Sequence, residues 1–263
     1  MTNQAWGASP WTALHGLRIG CVRYLNSKPL IHDYDRDLLL EHPSVLAREL
    51  AAGRLDAALV PVFEILRDPR YAIVDDVAIA CDGPVYSVIL AYHGDLEQIQ
   101  RVALDPASLT SVNLLRVLLA EFHGFNPEMG KAADAQLIIG NQAIEFREQQ
   151  GSDASFHVLD LGEEWKRCTG LPFVFAAWAV RADHPNLPAV ADAFRRMKAS
   201  GLTHLDQIIA EDATGTEEFR RRYLTHHIQF GLGEREKEGL QQYRTLLHRH
   251  GLICSEEPPL SFI

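Results

Sequence analysis

The feature of this sequence that most limits its fold is an alternation of short apolar runs with amphipathic, helix-spaced segments. Turn residues separate the two kinds of segment, and the apolar runs have the length of buried strands. The runs predict strands at 17–22, 55–60, 71–79, 85–92, 101–104, 135–139 and 173–180. The other segments predict helices that begin near 27–29 and that cover 44–52, 112–122, 142–150, 160–169 and 234–250. This alternation is typical of an α/β fold with mainly parallel sheets.

The late part of the chain predicts two lobes. A self-contained set of strands and helices runs from about 95 to 172, and the pattern becomes helical after Pro188. We therefore expect a first lobe made of residues 16–92 and 176–263, a second lobe at 93–175, and a loosely ordered extension at 1–15. Two crossings between lobes place a cleft between them, and ligands of α/β proteins bind where strands end and helices begin.

Charge and composition exclude several classes of function. The chain has 35 acidic and 25 basic residues and a net charge of −10 with neutral histidines. This balance argues against a nucleic-acid or anionic-membrane partner. No stretch approaches the roughly 18–20 apolar residues of a membrane span, and the N-terminus lacks the pattern of a secretory signal. The four cysteines are far apart, which favours reduced thiols in a cytoplasmic protein.

Familiar catalytic and metal-binding signatures are absent from the sequence, including the glycine-rich nucleotide loops, H-E-x-x-H and G-x-S-x-G. The adjacent His226 and His227 would point about 100° apart on a helix and so form a poor chelate. We therefore predict neither a metal nor a cofactor.

Polar residues at two turns and in one apolar run are candidates for a binding site, and each also has a purely structural interpretation. The turn 24–29 and the segment 108–111 could be ordinary helix caps, or they could bind a carboxylate or hydroxyl through backbone N–H groups and the Asn26 amide. Ser87 lies alone in an apolar run, where a buried hydroxyl bonded to the backbone is the simpler explanation. Trp178 belongs either to the core or to the cleft.

Five blocks of sequence, in order, resemble a known family. They are LRIGCVRYLNSKPL at 17–30, LVPVFEIL at 59–66, ALDPASLTSVNLLRVLL at 103–119, LDLGEEWKRCTGLPFVFAAW at 159–178 and GLGEREKEGL at 231–240. The chain is similar to the chorismate dehydratase family of the futalosine route to menaquinone. Arg23 departs from the family pattern, in which a small residue is expected; it could face solvent or reach a ligand carboxylate.

The resemblance implies a two-lobed fold like that of type II periplasmic binding proteins. It also implies the removal of water from chorismate to give 3-[(1-carboxyvinyl)oxy]benzoate. A related enzyme of the same pathway, 1,4-dihydroxy-6-naphthoate synthase, is disfavoured because Gly140 and Asn141 stand where that enzyme has a histidine base. The rival from another class is a cytoplasmic binding protein or sensor for a small carboxylate ligand. A homodimer is compatible with the sequence, which does not select one.

The chemistry of chorismate assigns roles to the candidates. Its two carboxylates need two anion sites, which Ser27 with its neighbours and Thr110 with Ser111 could supply from different lobes. Asn26 could hydrogen-bond the leaving hydroxyl or a carboxylate, and Ser87 is a second candidate for the same task. None of the turns assigned to the cleft carries a His, Glu or Lys at a position suited to a base. We therefore expect the enolpyruvyl carboxylate of the substrate to take the C3 proton, with Asp105 as the alternative. The catalytic candidates are Asn26 and Ser87; the substrate-binding candidates are Tyr24, Ser27, Ser108, Thr110, Ser111, Gly140, Asn141 and Trp178.

Overall fold

The computed structural model describes residues 11–34, 36–104, 108–130, 133–150, 156–254 and 259–263. The strands are β1 (Ile19–Cys21), β2 (Leu38–Leu40), β3 (Ala57–Pro61), β4 (Tyr71–Cys81), β5 (Val88–Tyr92), β6 (Arg101–Ala103), β7 (Glu128–Gly130), β8 (Ala135–Ile139), β9 (His157–Asp160) and β10 (Phe173–Arg181). The α-helices are α1 (Pro43–Ala51), α2 (Val62–Leu66), α3 (Leu109–Val117), α4 (Asn141–Gln150), α5 (Leu161–Thr169), α6 (Leu187–Thr203), α7 (Leu205–Glu211), α8 (Glu217–Arg222) and α9 (Glu234–Arg249).

The described strands form two five-stranded sheets, one for each lobe. Their orders are β2-β1-β3-β10-β4 and β7-β6-β8-β5-β9. Helices cover both sheets, which confirms the expected two-lobed α/β fold. None of the helices in the described part of the chain is long and apolar enough to cross a membrane.

Both sheets are mixed: four of the five strands in each sheet point in the same direction, as expected for mainly parallel sheets, and one strand runs the opposite way. β1 runs parallel to β2 and β3, and β6 runs parallel to β7 and β8. β10 is antiparallel to β3 and β4, and β5 is antiparallel to β8 and β9. These two antiparallel strands are the ones that directly follow a crossing between lobes. The chain enters each sheet there from the opposite end, whereas strands linked by crossover helices run parallel.

The chain passes between the sheets after β4 and again after β9. β5 therefore belongs to the second sheet and the whole of β10 to the first. We propose that the lobe boundaries lie at these two crossings rather than at 92/93 and 175/176. Residues 1–10 of the expected extension lie outside the described residues. Residues 11–15 are not a loose extension, because Trp11 and Leu14 are buried in the core of the first lobe.

One buried carboxylate ties the two crossings together. Asp160, the last residue of β9, caps the N-terminus of α5 by accepting from the Gly162 N–H at 3.0 Å. The same carboxylate accepts from the backbone N–H groups of Val85 at 3.0 Å and Tyr86 at 2.7 Å, on the other crossing. The Arg147 guanidinium neutralises it at 2.9 Å. The backbone just before Ser87 is thus fixed to the second lobe.

Candidate active site between the two lobes

A cavity that is partly open to solvent lies between the two sheets. Its walls are mainly aliphatic and aromatic, with a few polar groups, which is the usual composition of a small-molecule site. The lining residues are Val22, Tyr24, Asn26, Pro43, Pro61, Ile79, Val85, Ser87, Val88, Ser108, Ser111, Ile139, Gly140, Phe175 and Ala176. Six of the ten candidate residues from the sequence therefore meet at one cavity.

The turn after β1 brings Tyr24 and Asn26 to the cavity wall. It is a 3₁₀ helix, Leu25–Leu30, rather than the start of a longer α-helix, and Pro29 lies inside it. The Ser27 hydroxyl lies 2.7 Å from the Val22 carbonyl oxygen and 2.8 Å from that of Tyr24. Ser27 is buried and does not line the cavity, so its side chain holds the turn while its neighbour Asn26 faces the cleft.

A chain of hydrogen bonds joins Asn26 to Ser87 through a residue that sequence reasoning missed. The Asn26 Nδ2 donates to the Tyr223 hydroxyl at 3.1 Å, and that hydroxyl donates to Ser87 Oγ at 2.7 Å. Tyr223 is 1% exposed, and its burial raises the pKa of the phenol far above the ordinary value. The Asn26 Oδ1 is buried and has no hydrogen-bond partner in the structure.

The N-terminus of α3 supplies two hydroxyl groups from the second lobe. Ser108 caps the helix and accepts from the Ser111 N–H at 3.4 Å, and the Ser111 Oγ lies 3.2 Å from the Ser108 Oγ. Both serines line the cavity. Thr110, between them in sequence, is fully buried and does not line it, because its Oγ1 accepts the Phe63 N–H at 3.0 Å.

The turn after β8 closes the opposite wall. Gly140 has a φ of +61° and donates its N–H to the Ser87 carbonyl oxygen at 2.8 Å. Asn141 does not line the cavity; its Nδ2 lies 3.4 Å from the Thr214 Oγ1. Trp178 does not line it either. Its ring is fully buried and stacks on Phe194, with ring centroids 4.2 Å apart, so it belongs to the core.

The described side chains that line the cavity carry no formal charge. None of the described residues that line it carries a carboxylate, imidazole, ammonium or guanidinium group. Arg23, the departure from the family pattern, is exposed, donates to the Leu40 carbonyl oxygen and lies 3.7 Å from Glu41, so it faces solvent. Asp105 lies outside the described residues. A bound anion would therefore be held by hydroxyl and backbone N–H groups.

A group of metal-ligating side chains forms away from the cavity. The His32 Nε2 lies 3.2 Å from Asp33 Oδ1, and the His204 Nδ1 lies 3.5 Å from Asp33 Oδ2. The Ser200 hydroxyl also bonds Asp33, at 2.6 Å. Asp33 and His204 are exposed, and none of the three residues lines the cavity. Sequence spacing could not reveal this group because His204 is far from the other two along the chain.

The sequence of this chain is similar to those of proteins of menaquinone biosynthesis. A family model described as menaquinone biosynthesis matches residues 17–249. The chorismate dehydratase of Thermus thermophilus is 30% identical over 256 residues, which cover 87% of this chain and 94% of that protein. The chorismate dehydratase of Campylobacter jejuni is 27% identical over 222 residues, covering 84% and 88%.

Solved structures show the same fold. A protein from Archaeoglobus fulgidus matches with a TM-score of 0.73 and 16% identity, over 90% of this chain and 98% of that one. The periplasmic aliphatic sulphonate binding protein of Escherichia coli matches with a TM-score of 0.61 and 16% identity, over 92% and 89%. These matches confirm a fold like that of periplasmic binding proteins.

Proposed function

The chain belongs to the menaquinone biosynthesis family, and we propose that it is a chorismate dehydratase, a hydro-lyase that converts chorismate to 3-[(1-carboxyvinyl)oxy]benzoate and water. The observation that carries this proposal is the 30% identity to a chorismate dehydratase over 87% of the chain. The neutral cavity between the lobes, with its buried polar groups, supports it from the structure. The expected cytoplasmic location remains a prediction, and the sequence does not select a homodimer.

The reaction makes modest demands on the protein. Loss of the C3 proton and the C4 hydroxyl forms one ring double bond and releases water, and the ring becomes aromatic. Because aromatisation supplies the driving force, the protein has mainly to hold the substrate, orient it and assist the departing hydroxyl. A cavity with fixed hydroxyl and amide groups and no charged side chains is suited to these tasks.

We assign one substrate carboxylate to the N-terminus of α3. The Ser108 and Ser111 hydroxyl groups face the cavity there, and a helix N-terminus favours an anion by about 0.3–1 kcal/mol, or up to about 2 kcal/mol when partly buried. We assign the other carboxylate to the turn after β1, where Ser27 acts by shaping the backbone rather than by direct contact.

We assign the C4 hydroxyl to Asn26 and Ser87. A hydroxyl both donates and accepts a hydrogen bond, whereas a carboxylate only accepts. The buried Asn26 Oδ1 has no partner in the structure and can only accept. It would repel a carboxylate, but it can receive the hydrogen of the C4 hydroxyl. The Ser87 hydroxyl can donate to the oxygen of the same group as the C–O bond breaks.

The enolpyruvyl carboxylate of chorismate is our proposed base. The C3 and C4 oxygens of chorismate are trans, so the C3 hydrogen lies on the same face as the leaving hydroxyl. No described residue that lines the cavity offers a carboxylate or imidazole for this proton. The substrate's own carboxylate is covalently attached at C3 and needs only to be oriented.

Incubation of the purified protein with chorismate tests the proposal. We expect an aromatic product lighter by 18 mass units, detected by mass spectrometry and by its ultraviolet spectrum. Chorismate that binds but is recovered unchanged after prolonged incubation would instead favour a binding protein or sensor, a function known among proteins of this fold.

A further inference from the structure

Tyr223 occupies a position between the two residues assigned to the leaving hydroxyl. It lies in a π-helical turn, Tyr223–His227, that continues from α8. Its ring stacks on Phe219, with centroids 5.5 Å apart and planes 19° apart, so packing fixes the ring independently of its hydroxyl. The hydroxyl then reaches Asn26 and Ser87, which belong to different lobes.

We propose that Tyr223 is a positioning residue that fixes the direction of the hydrogen bonds presented to the leaving hydroxyl. This inference rests on the proposed dehydratase function. A phenol has one hydrogen, and Tyr223 gives it to Ser87 Oγ at 2.7 Å while accepting from Asn26 Nδ2 at 3.1 Å. Tyr223 therefore orients one catalytic candidate as a donor and the other as an acceptor.

The bond from the Tyr223 hydroxyl determines where the Ser87 hydroxyl hydrogen can point. Because Ser87 Oγ accepts from Tyr223, its own hydrogen must point elsewhere. Ser87 is 1% exposed and lines the cavity, so the hydrogen is available to a bound ligand. Burial keeps the Tyr223 phenol protonated by raising its pKa, so the donation to Ser87 persists across the working pH range.

The bond to Tyr223 likewise determines how the Asn26 amide is oriented. The bond from Nδ2 to Tyr223 settles which end of the amide points toward the tyrosine, and it leaves Oδ1 on the other side. That oxygen is buried without a partner, and an unsatisfied buried acceptor is unfavourable. A ligand hydroxyl that donates to it would satisfy this acceptor, so the group that meets the Asn26 Oδ1 is a hydroxyl rather than a carboxylate.

The substitution Tyr223→Phe tests the proposal, because it removes the hydroxyl and keeps the ring. We expect kcat for chorismate to fall about 10-fold to 100-fold and KM to change less than about threefold, since one polar contact of a reaction site contributes on this scale or above it. Tyr243→Phe is the matched control. Tyr243 is also fully buried, but its hydroxyl donates to the Thr110 carbonyl oxygen at 3.1 Å, away from Asn26 and Ser87. We expect this variant to keep wild-type kcat, and both variants to remain folded by thermal unfolding.

A double-mutant cycle distinguishes positioning from a merely structural role. If Tyr223 acts through Ser87, adding Y223F to Ser87→Ala should lower kcat by less than about threefold, well below its effect in the wild type. Additive losses in the cycle, or a Y223F variant that changes KM alone, would refute the proposal.

Equilibrium binding separates this inference from the proposed function. The product 3-[(1-carboxyvinyl)oxy]benzoate lacks the C4 hydroxyl, so Y223F should bind it within threefold of wild type. If the wild type binds chorismate without converting it, the dehydratase proposal fails, and a loss of chorismate affinity in Y223F of about threefold, with product affinity unchanged, would still support the role of Tyr223. Equal weakening of both ligands would overturn that role, and a wild type that neither converts nor binds chorismate refutes both proposals.

Discussion

Gly140 of the second lobe lies against the ring of Tyr24 of the first, so that a Cβ built on Gly140 would sit 2.7 Å from the Tyr24 Cε1. Only a residue without a side chain lets the ring reach this position. The Gly140 backbone also has a φ of +61°, a conformation that L-residues rarely adopt. This contact limits how closely the two lobes approach at the wall of the cavity.

Gly140→Ala should therefore damage both stability and activity. We expect a loss of about 1–3 kcal/mol in the free energy of unfolding from the strained backbone, and a fall in kcat/KM of about tenfold or more because the Tyr24 ring must move. Gly94→Ala is the matched control: its φ is +70°, but nothing lies within 4 Å of the added Cβ. It should lose stability by a similar amount and keep kcat/KM. Equal kinetics for the two variants would show that the Tyr24 contact is unimportant.

Asn26→Asp should lower kcat by about 100-fold or more without unfolding the protein. The change replaces the Nδ2 donor to Tyr223 with an oxygen and places a carboxylate beside an anionic substrate. Asn186→Asp provides a control, because Asn186 precedes α6 outside the cavity and acquires the same charge. Near-normal turnover by Asn26→Asp would mean that the turn after β1 has only a structural role.

Activity should survive exhaustive chelation. The potential ligands His32, Asp33 and His204 lie together but do not line the cavity. We accordingly expect His204→Ala to keep wild-type kcat and KM. Loss of activity in a chelator, restored by added zinc or magnesium, would contradict this prediction.

A chorismate analogue with an amide in place of the enolpyruvyl carboxylate should bind more weakly and should not be dehydrated. The amide cannot take the C3 proton, although it keeps the shape of the group. Rapid dehydration of this analogue would show that a protein group is the base, and Asp105 would then be the first residue to substitute.

Glu164 should make the stability of the protein depend on pH in the acidic range. A hydrogen bond from the Arg167 guanidinium, at 2.9 Å, holds the pKa of this carboxyl below its usual value, and His123 adds a second bond at 2.7 Å. A lowered folded-state pKa contributes stability above the unfolded value of about 4.3, and this contribution is lost as pH falls through the folded value.

Glu164→Gln measures that contribution. At pH 7 we expect it to lower the free energy of unfolding by about 1–3 kcal/mol, and the difference from wild type should shrink as pH falls below about 4. The exposed Glu218→Gln should show no such trend. A difference that stays constant from pH 7 to pH 3 would be inconsistent with the lowered pKa of Glu164.

Much of the site could be predicted because turns after strands are local features. The βα order located the turn that carries Asn26 and the helix cap that carries Ser108 and Ser111. Local pattern did not show which side chain of a turn faces the cleft. Asn26 and Ser27 are neighbours, yet one lines the cavity and the other bonds the backbone, because the 3₁₀ geometry turns them apart.

The remaining features depend on contacts between distant parts of the chain. Tyr223 meets Ser87 across 136 positions of sequence, and no spacing rule connects them. Trp178 stacks on Phe194 of α6, and this contact places its ring in the core rather than in the cleft. The antiparallel directions of β5 and β10 depend on how the chain crosses between lobes, which periodicity within a strand does not report.

Because the Asp160 carboxylate holds the backbone before Ser87 to the second lobe, the candidate residues for the leaving hydroxyl come from both lobes. Ser87 moves with the second lobe, because Asp160 bonds the N–H of Tyr86 and Gly140 bonds the Ser87 carbonyl oxygen. Asn26 and Tyr223 belong to the first lobe. We therefore expect water loss to require that both lobes contact the same chorismate molecule at once, so that a substrate bound to one lobe alone is not converted.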